Sequence, residues 1–366
     1  MLLCIEGAVY LTIRLVITLL VGTLGGFIFY KLKAPAGMLV GAIFAVSVLS
    51  VATPYALMPP SAKLAAQTIT GAYIGSTISK EDLFHLPRII SPYLFIMTGF
   101  FILNVISGLL IYMLSPLDLL TSLLCAMPGG ISDTPLIAMD MGADAAKVAV
   151  LQFVRMVFGI GALPLLIVAV DRMANKRQND GAPQQETKKA VQPKAAVKRV
   201  HAPAALLITL GAATLGGLVG KWLKIPAGAL ILSMLVTLIL KMFYSKAYLP
   251  LWCRRVAQVL SGCCIGSQMT YGDVIEMRYL IVPAVVLVIG YFANCVIMGL
   301  LLNRCFKIPR LEAMLCVSPA GATEMALISA DLGVESPDLV VIQICRLIGV
   351  MAVFPQLIAL FINIFG

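Results

Sequence analysis

Long apolar segments recur along nearly the whole chain and decide its class. A helix needs about 20 residues to cross the ~30 Å hydrocarbon layer of a bilayer, and most of these segments reach that length. The alternating runs of about 10 residues that a membrane-spanning strand would show are absent from the sequence. We therefore predict an all-α, polytopic membrane protein. The apolar segments lie at about residues 8–30, 36–57, 89–114, 145–170, 203–222, 226–243, 279–303 and 339–365.

Composition agrees with a membrane protein and argues against an enzyme. Of the 366 residues, 60% are hydrophobic and 12% are charged, whereas soluble domains carry about 25% charged residues. The nine cysteines form no CxxC pair, and the two histidines, His85 and His201, are too few for a metal centre. Nucleotide-binding and hydrolase motifs are missing as well. We expect no enzymatic activity, no cofactor and no metal site.

The chain contains two copies of one unit. TLGGFIFYKLKAPAG at residues 23–37 aligns with TLGGLVGKWLKIPAG at residues 214–228, an offset of 191 residues that continues without a gap. We divide the chain into transmembrane repeat 1 at residues 1–170, a linker at residues 171–200 and transmembrane repeat 2 at residues 201–366. The matched pairs include Gln67 with Gln258, Gly71 with Gly262, Gly75 with Gly266, Gln152 with Gln343 and Arg155 with Arg346.

The linker sets the expected orientation in the membrane. Between residues 171 and 199 it has eight Lys or Arg against three Asp or Glu, and basic segments of this kind stay on the cytoplasmic side. Charges in the other loops fit five crossings per copy plus one broken segment that enters and returns, which inverts the repeats. If the broken segment crosses fully, each copy has six spans and the repeats are parallel. Both alternatives give about 10–12 transmembrane helices.

Each repeat interrupts an apolar segment with proline and small residues followed by an acid. The two sequences are CAMPGGISDT at residues 125–134 and CVSPAGATEM at residues 316–325. Proline removes a backbone donor and glycine leaves the helical conformation easily, so a helix should end at each site within the membrane. The helix that follows would turn the positive end of its dipole toward an anion. The break residues that we assign to substrate or ion binding are Pro128, Gly129, Gly130, Ser132, Asp133 and Thr134 in repeat 1 and Pro319, Gly321, Thr323 and Glu324 in repeat 2.

Ionisable side chains at membrane depth are the strongest candidates for function. Asp133 and Glu324 are equivalent, and each either caps a helix N-terminus or binds a coupling ion. Two arginines lie about ten residues into the next apolar segment, roughly 15 Å deep. Each arginine either pairs with the acid of its own repeat or grips an anionic substrate, and both alternatives remain open. With the glutamines three residues before them, these candidates are Gln152, Arg155, Gln343 and Arg346.

At these motifs the chain resembles the duplicated AbrB-type proteins of the bacterial inner membrane. The resemblance covers residues 11–170 and 203–364 and rests on the KxPAG turns, the PGG or PAG breaks and the GxxxxxVxxxQxxR pattern that ends at Arg155. It implies a multi-pass protein of the bacterial inner (cytoplasmic) membrane with the linker at residues 171–200 in the cytoplasm. Family labels such as ammonia monooxygenase or transcriptional regulator fit poorly, since metal ligands and a soluble DNA-reading module are lacking in the sequence.

A more distant resemblance concerns the break itself. MPGGISDTPLIAMDMG is similar to the corresponding stretch of the bile-acid/sodium symporters, and this implies a fold of the cation–proton-antiporter type, with broken helices that cross the membrane fully. Where that family has asparagine, this chain has Asp133 and Glu324, which makes proton coupling more plausible than sodium coupling.

These observations predict a secondary transporter with alternating access around two broken helices. Its substrate would be a small anionic organic solute, coupled to H⁺ or Na⁺. The expected partners are that solute, the coupling ion and the lipid bilayer, with no direct contact to nucleic acid; a homodimer is compatible with the sequence. The alternative is a non-transporting membrane regulator or receptor that affects gene expression indirectly.

Overall fold

The computed structural model describes residues 2–34, 36–77, 80–176, 203–244, 246–319, 325, 329, 332 and 337–365. Every regular element in these ranges is helical. In repeat 1 the helices are α1 Leu2–Lys31, α2 Gly37–Ala52, α3 Pro60–Thr77, α4 Lys80–Leu114, α5 Leu119–Cys125, α6 Thr134–Met141, α7 Ala145–Gly161 and α8 Leu163–Lys176. In repeat 2 they are α9 Pro203–Trp222, α10 Gly228–Phe243, α11 Leu251–Gly266, α12 Tyr271–Glu276, α13 Ile281–Phe306, α14 Arg310–Val317 and α15 Pro337–Phe365.

The long helices are built to cross a membrane. Among the described residues five helical spans are long and apolar enough to do so alone, and a sixth is formed if α7 and α8, which meet at a bend of 43°, count as one. The large side chains on the outer faces of α1 and α9, such as Leu20, Leu24, Leu207 and Leu215, are about half or more exposed. Exposed leucines on the surface of a helix bundle are stable against lipid rather than water. The chain is an all-α, polytopic membrane protein.

Glycine pairs on α3 and α11 allow each helix to pack tightly on the other repeat. A Cβ atom at Gly262 would lie 2.8 Å from the carbonyl oxygen of Leu39, and one at Gly266 would lie 2.8 Å from that of Ile43. These close approaches need the absence of a side chain. Since both residue numbers rise together, α11 runs parallel to α2. Gly71 and Gly75 make the equivalent approaches to α10.

The equivalent helices α3 and α11 run in opposite directions. At the end of α3, the Tyr73 ring lies 5.2 Å from the guanidinium of Arg254, which is near the start of α11. At the start of α3, Lys63 lies within electrostatic range of Cys264, which is near the end of α11. The two repeats are therefore inverted, as the loop charges predicted.

The helices pack as two groups, and each group draws on both repeats. Helix group 1 contains α1–α3 and α9–α11, and helix group 2 contains α4–α8 and α12–α15. Group 2 holds the largest hydrophobic core, which includes Phe100, Leu124, Leu151, Val317 and Phe354. The groups meet where α11 contacts α6 and α7. This contact places the break between α5 and α6 at the boundary of the two groups.

Candidate functional site

The break in repeat 1 forms a re-entrant hairpin. Helix α5 ends at Cys125 and α6 begins at Thr134, and α6 itself ends at Gly142, whose φ of 81° is left-handed and favours glycine. Beyond it, the backbone N–H of Asp144 donates to Oγ1 of Thr121 over 3.1 Å. The segment thus returns to the end of the molecule from which it entered. The preferred sequence interpretation, a segment that enters and returns, is confirmed for this repeat, and the fully crossing arrangement implied by the distant symporter resemblance does not hold here.

Gln152 donates to backbone carbonyl groups at the break. Its Nε2 donates to the carbonyl oxygens of Leu124, Cys125 and Met127 at 3.3, 3.4 and 3.0 Å. The last carbonyls of a helix have no partner within the helix, and an unpaired carbonyl is costly in lipid. Gln152 is fully buried and therefore serves as a side-chain cap for the C-terminal end of α5.

Arg155 completes this cap. Its Nη1 donates to the carbonyl oxygen of Met127 over 2.9 Å, and its Nη2 donates to that of Gly129. The guanidinium also lies 5.7 Å from the ring centre of Tyr291, whose hydroxyl donates to the carbonyl oxygen of Ala126 over 2.8 Å. A positive charge at the carbonyl end of α5 is favoured by the helix dipole as well.

Repeat 2 has the same cap at equivalent positions. Nε2 of Gln343 donates to the carbonyl oxygens of Leu315 and Cys316 at 2.6 and 3.3 Å. Nη1 of Arg346 donates to the carbonyl oxygen of Ser318. Helix α14 ends at Val317, immediately before this carbonyl, so SPAG ends a helix as MPGG does.

The two arginines reach across the boundary between the repeats. Arg155 of repeat 1 lies against Tyr291 of repeat 2, and Arg346 of repeat 2 lies 5.3 Å from the ring centre of Phe100 of repeat 1. Phe100 and Tyr291 are equivalent in the repeat register. The two broken segments therefore lie close together in the interior of helix group 2.

One of the two alternatives for Arg155 is wrong. Within the described residues, its guanidinium forms no ion pair with Asp133, because its Nη atoms are directed at carbonyl groups. Sequence reasoning missed this arrangement since carbonyl partners leave no trace in residue identity. The other alternative, contact with an anionic substrate, stays a prediction. Arg155 is 5% exposed, and its Nε has no hydrogen-bond partner.

Asp133 lies at the first turn of α6 and is buried, with 7% of its surface exposed. Its side chain makes no capping hydrogen bond, so the capping alternative is not what the structure shows. The carboxylate instead folds over Gly130, where a Cβ atom would collide with its Oδ2. A side chain at position 130 would therefore displace the Asp133 carboxylate from this position. Asp133 is a buried acid at a helix break without an ion-pair partner among the described residues.

Hydroxyl groups flank this acid. Oγ of Ser132 accepts a hydrogen bond from Nε2 of Gln258 over 3.3 Å. Oγ1 of Thr134 is fully buried and has no hydrogen-bond partner, and a Cβ at Gly129 would collide with it. Ser132, Asp133 and Thr134 thus place three oxygen-bearing side chains at the break, and their assignment to substrate or ion binding stays a prediction. The fixed ring of Pro128 precedes them and ends the first half of the hairpin.

The candidate residues of the second break are only partly visible. Pro319 directly follows the carbonyl that Arg346 caps. Gly321, Thr323 and Glu324 lie outside the described residues.

Two glutamines were missing from the predicted site. Gln67 on α3 donates from Nε2 to the carbonyl oxygen of Leu136 in α6 over 3.3 Å, and its equivalent Gln258 reaches Ser132. Helix group 1 thereby holds the hairpin of group 2 through one glutamine from each repeat. Both glutamines are buried. Their matching positions in the repeat register were the available signal.

A cavity of about 520 Å³ lies between the two helix groups on one side of α6. Its rim carries the exposed side chains of Lys221 and Lys224, and Gln67 lies in its wall. Another wall residue, Asp140 at the end of α6, forms an ion pair of 2.7 Å with Lys63. The cavity touches α6 at Asp140 and Met141, at the end of α6 opposite to the break.

Comparison with known proteins defines the family. The family model described as "Transition state regulatory protein AbrB" matches residues 4–171 and, in a second match, residues 58–362. The chain belongs to the AbrB family. "Putative regulator AbrB" of Escherichia coli (strain K12) is 29% identical over 341 residues, covering 92% of this chain and 93% of that protein. "Uncharacterized protein YhjN" of Bacillus subtilis (strain 168) is 25% identical over 362 residues, covering 93% of this chain and 91% of that protein. The double match to the AbrB family model agrees with the duplication seen in the sequence.

Proposed function

We propose that this AbrB-family protein is a secondary transporter of a small anionic organic solute, driven by a proton or sodium gradient. We place it in the bacterial inner membrane with the linker at residues 171–200 in the cytoplasm, because basic loops favour that side. The observation that carries the proposal is Asp133, a buried acid at a helix break that forms no ion pair within the described residues.

The carbonyl caps explain why the acid is available for ion coupling. Arg155 and Gln152 donate to the end of α5, and Asp133 forms no ion pair within the described residues; Arg254 of α11 acts on it electrostatically from beyond ion-pair distance. A buried carboxylate is costly as an anion and is stabilised by binding a proton or a cation. Cycling between the loaded and the empty acid would change the charge beside the solute path.

The inverted repeats supply the two states that transport needs. Helices α3 and α11 run antiparallel and present Gln67 and Gln258 to the same hairpin, at Leu136 and Ser132. Structures built from inverted repeats can exchange the conformations of their two halves, which moves access from one end of the molecule to the other. In this structure the cavity reaches the surface at the end near Lys221.

Flux in proteoliposomes tests the proposal. Wild-type protein should take up a labelled dicarboxylate when a proton or sodium gradient is imposed, and Asp133→Asn should abolish this driven uptake. Glu324→Gln should do the same from the equivalent position. Asp273→Asn is the matched control, because Asp273 is only half-buried and caps α12 together with Thr270; the flux of this variant should equal that of the wild type. Unchanged driven uptake in both Asp133→Asn and Glu324→Gln would remove the acids from the mechanism.

The family description favours a second candidate function. Both the family model and the Escherichia coli relative carry the word regulator or regulatory in their names. A membrane receptor could bind the same solute without moving it and affect gene expression through residues 171–199. This alternative predicts solute binding with no flux, and loss of the transcriptional response when the linker is deleted.

A further inference from the structure

Lysine side chains line the cavity at the boundary between the two helix groups, at the end of α6. Three of its lining residues, Lys63, Lys221 and Lys224, are basic, and Asp140 is the acid among them. Nζ of Lys63 lies 2.7 Å from the Asp140 carboxylate, so these two charges compensate each other. Within the described part of the chain, Lys221 and Lys224 form no ion pair. The cavity wall therefore carries two positive charges without a counter-charge.

The two uncompensated lysines are presented by a fixed turn. Lys224 has a left-handed φ of 54°, which is unusual for a residue other than glycine. Backbone hydrogen bonds from Lys224 to Lys221 at 3.3 Å and from Gly228 to Ile225 at 2.8 Å close the turn. Nε2 of Gln356 on α15 also donates to the carbonyl oxygen of Pro226 over 2.9 Å. This turn links the lysine pair to both helix groups.

The remaining wall suits a short carbon skeleton. Leu64, Ala229 and Ile362 provide apolar surface, and the amides of Gln67 and Asn363 provide hydrogen-bonding groups. A volume of about 520 Å³ lies within the usual range of roughly 300–1,000 Å³ for small-molecule sites.

We propose that this cavity is the entry site for a soluble dianion, specifically a small dicarboxylate, with Lys221 and Lys224 as the residues that select for two charges. This inference rests on the proposed transport function and names the substrate class of the same pathway. Lys63 is held by Asp140, so the number of charges read by the site is two. An exposed lysine contributes little to the binding of a single charge; in this assignment each of the two lysines holds one carboxylate of the dianion, so both are needed for the full affinity.

Binding to the full-length protein in nanodiscs of phosphatidylcholine tests the site. Succinate is the probe, and succinamate, the same skeleton with one carboxylate converted to an amide, is its matched monoanion. Calorimetric titration should show succinate binding several-fold more tightly than succinamate, with a difference that shrinks at high salt. Lys221→Gln and Lys224→Gln should each weaken succinate binding about threefold and together about tenfold. Lys221→Arg and Lys224→Arg should restore it.

Lys33→Gln is the matched control for Lys224→Gln. Lys33 is the equivalent residue of repeat 1, with a left-handed φ of 56° in the same kind of turn, but it does not line this cavity. Succinate affinity should be unchanged in Lys33→Gln. The inference is overturned if the double lysine variant binds as the wild type does, if succinate and succinamate bind equally or not at all, or if Lys33→Gln has the same effect as Lys224→Gln.

Two further binding measurements distinguish a dicarboxylate from other anions. Inorganic phosphate should bind more weakly than succinate because it lacks the carbon skeleton that the apolar wall would contact, and equal or tighter binding would overturn the assignment to a dicarboxylate. Nanodiscs that contain phosphatidylglycerol should retain succinate binding. Its complete loss there would identify the cavity as a lipid headgroup site and would also overturn the inference.

The outcome is separable from that of the transport proposal. Lysine-dependent succinate binding without any flux would support the site and count against transport. Flux that depends on Asp133 but is insensitive to both lysine variants would support transport and overturn the site.

Discussion

In the two broken segments, the side chains that cap the backbone carbonyls are of the same types, whereas the aromatic side chains beside them differ. In both repeats, a glutamine and the arginine three residues after it donate to the carbonyls at the end of the first half of the segment. The neighbouring aromatic differs: Tyr291 hydrogen-bonds to repeat 1, whereas its equivalent Phe100 cannot donate to repeat 2. The shared glutamine and arginine stabilise the chain at both breaks, whereas the different aromatic residues make the two halves unequal.

A second difference lies one turn earlier in each segment. Nδ2 of Asn104 donates to the carbonyl oxygen of Leu123 over 2.8 Å. At the equivalent place, Sγ of Cys295 contacts the carbonyl oxygen of Met314 over 3.4 Å. A thiol is a weak donor, so repeat 2 has the weaker bond here too. At these two matched positions, therefore, the donors of repeat 1 are the stronger ones.

Removing an arginine cap should have the largest effect. Arg155→Leu leaves the carbonyl of Gly129 without its donor and that of Met127 with Gln152 alone, and we expect the free energy of unfolding to fall by about 1–3 kcal/mol. Arg346→Leu should act in the same direction. Thermal unfolding in detergent measures both, and Arg278→Leu, whose guanidinium contacts the exposed Tyr279, is the control. If Arg155→Leu kept wild-type stability but lost solute binding, the arginine would be a ligand and not a cap.

Tyr291→Phe should have an intermediate effect, because it makes the aromatic of repeat 2 the same as that of repeat 1. The carbonyl of Ala126 loses the donor that lies 2.8 Å away, at a cost of about 1 kcal/mol. Thermal unfolding checks this, with Tyr112→Phe as the exposed control on α4. Equal midpoints for Tyr291→Phe and the wild type would show that the hydroxyl does not contribute to the asymmetry.

Asn104→Cys should have the smallest effect, since it copies the thiol of repeat 2 into repeat 1. We expect a loss of about 0.5–1 kcal/mol, with Asn104→Leu losing more because it removes the donor altogether. Denaturation midpoints of the three proteins should therefore fall in the order Asn, Cys, Leu. The same midpoint for the cysteine and the leucine variant would mean that the thiol at position 295 is no substitute for the amide.

Much of the fold follows from residue identity. The duplication, the helix ends before Pro128 and Pro319, and the inverted arrangement all come from patterns that the chain carries openly. The apolar segments predicted from the sequence did not include helices α3 and α11, because polar residues such as Gln67, Thr70 and Gln258 interrupt the apolar sequence of these helices.

The site was harder to predict for a physical reason. Composition and register point to Asp133 and Arg155, but the partner of an arginine is chosen by geometry, and here it is the main chain of Met127 and Gly129. Backbone carbonyls are present at every position, so the sequence cannot mark which of them are left open. The cavity could not be predicted either, because the packing of the helices decides that Lys221 and Lys224 lie near the end of α6.

The cap of the first hairpin also constrains how the protein is made. One of its donors, Tyr291, is synthesised 165 residues after the Ala126 carbonyl that it serves. During translation that carbonyl must stay hydrated or be shielded by other means until α13 emerges and inserts. Repeat 1 therefore lacks one of its hydrogen-bond donors until repeat 2 has been synthesised and inserted.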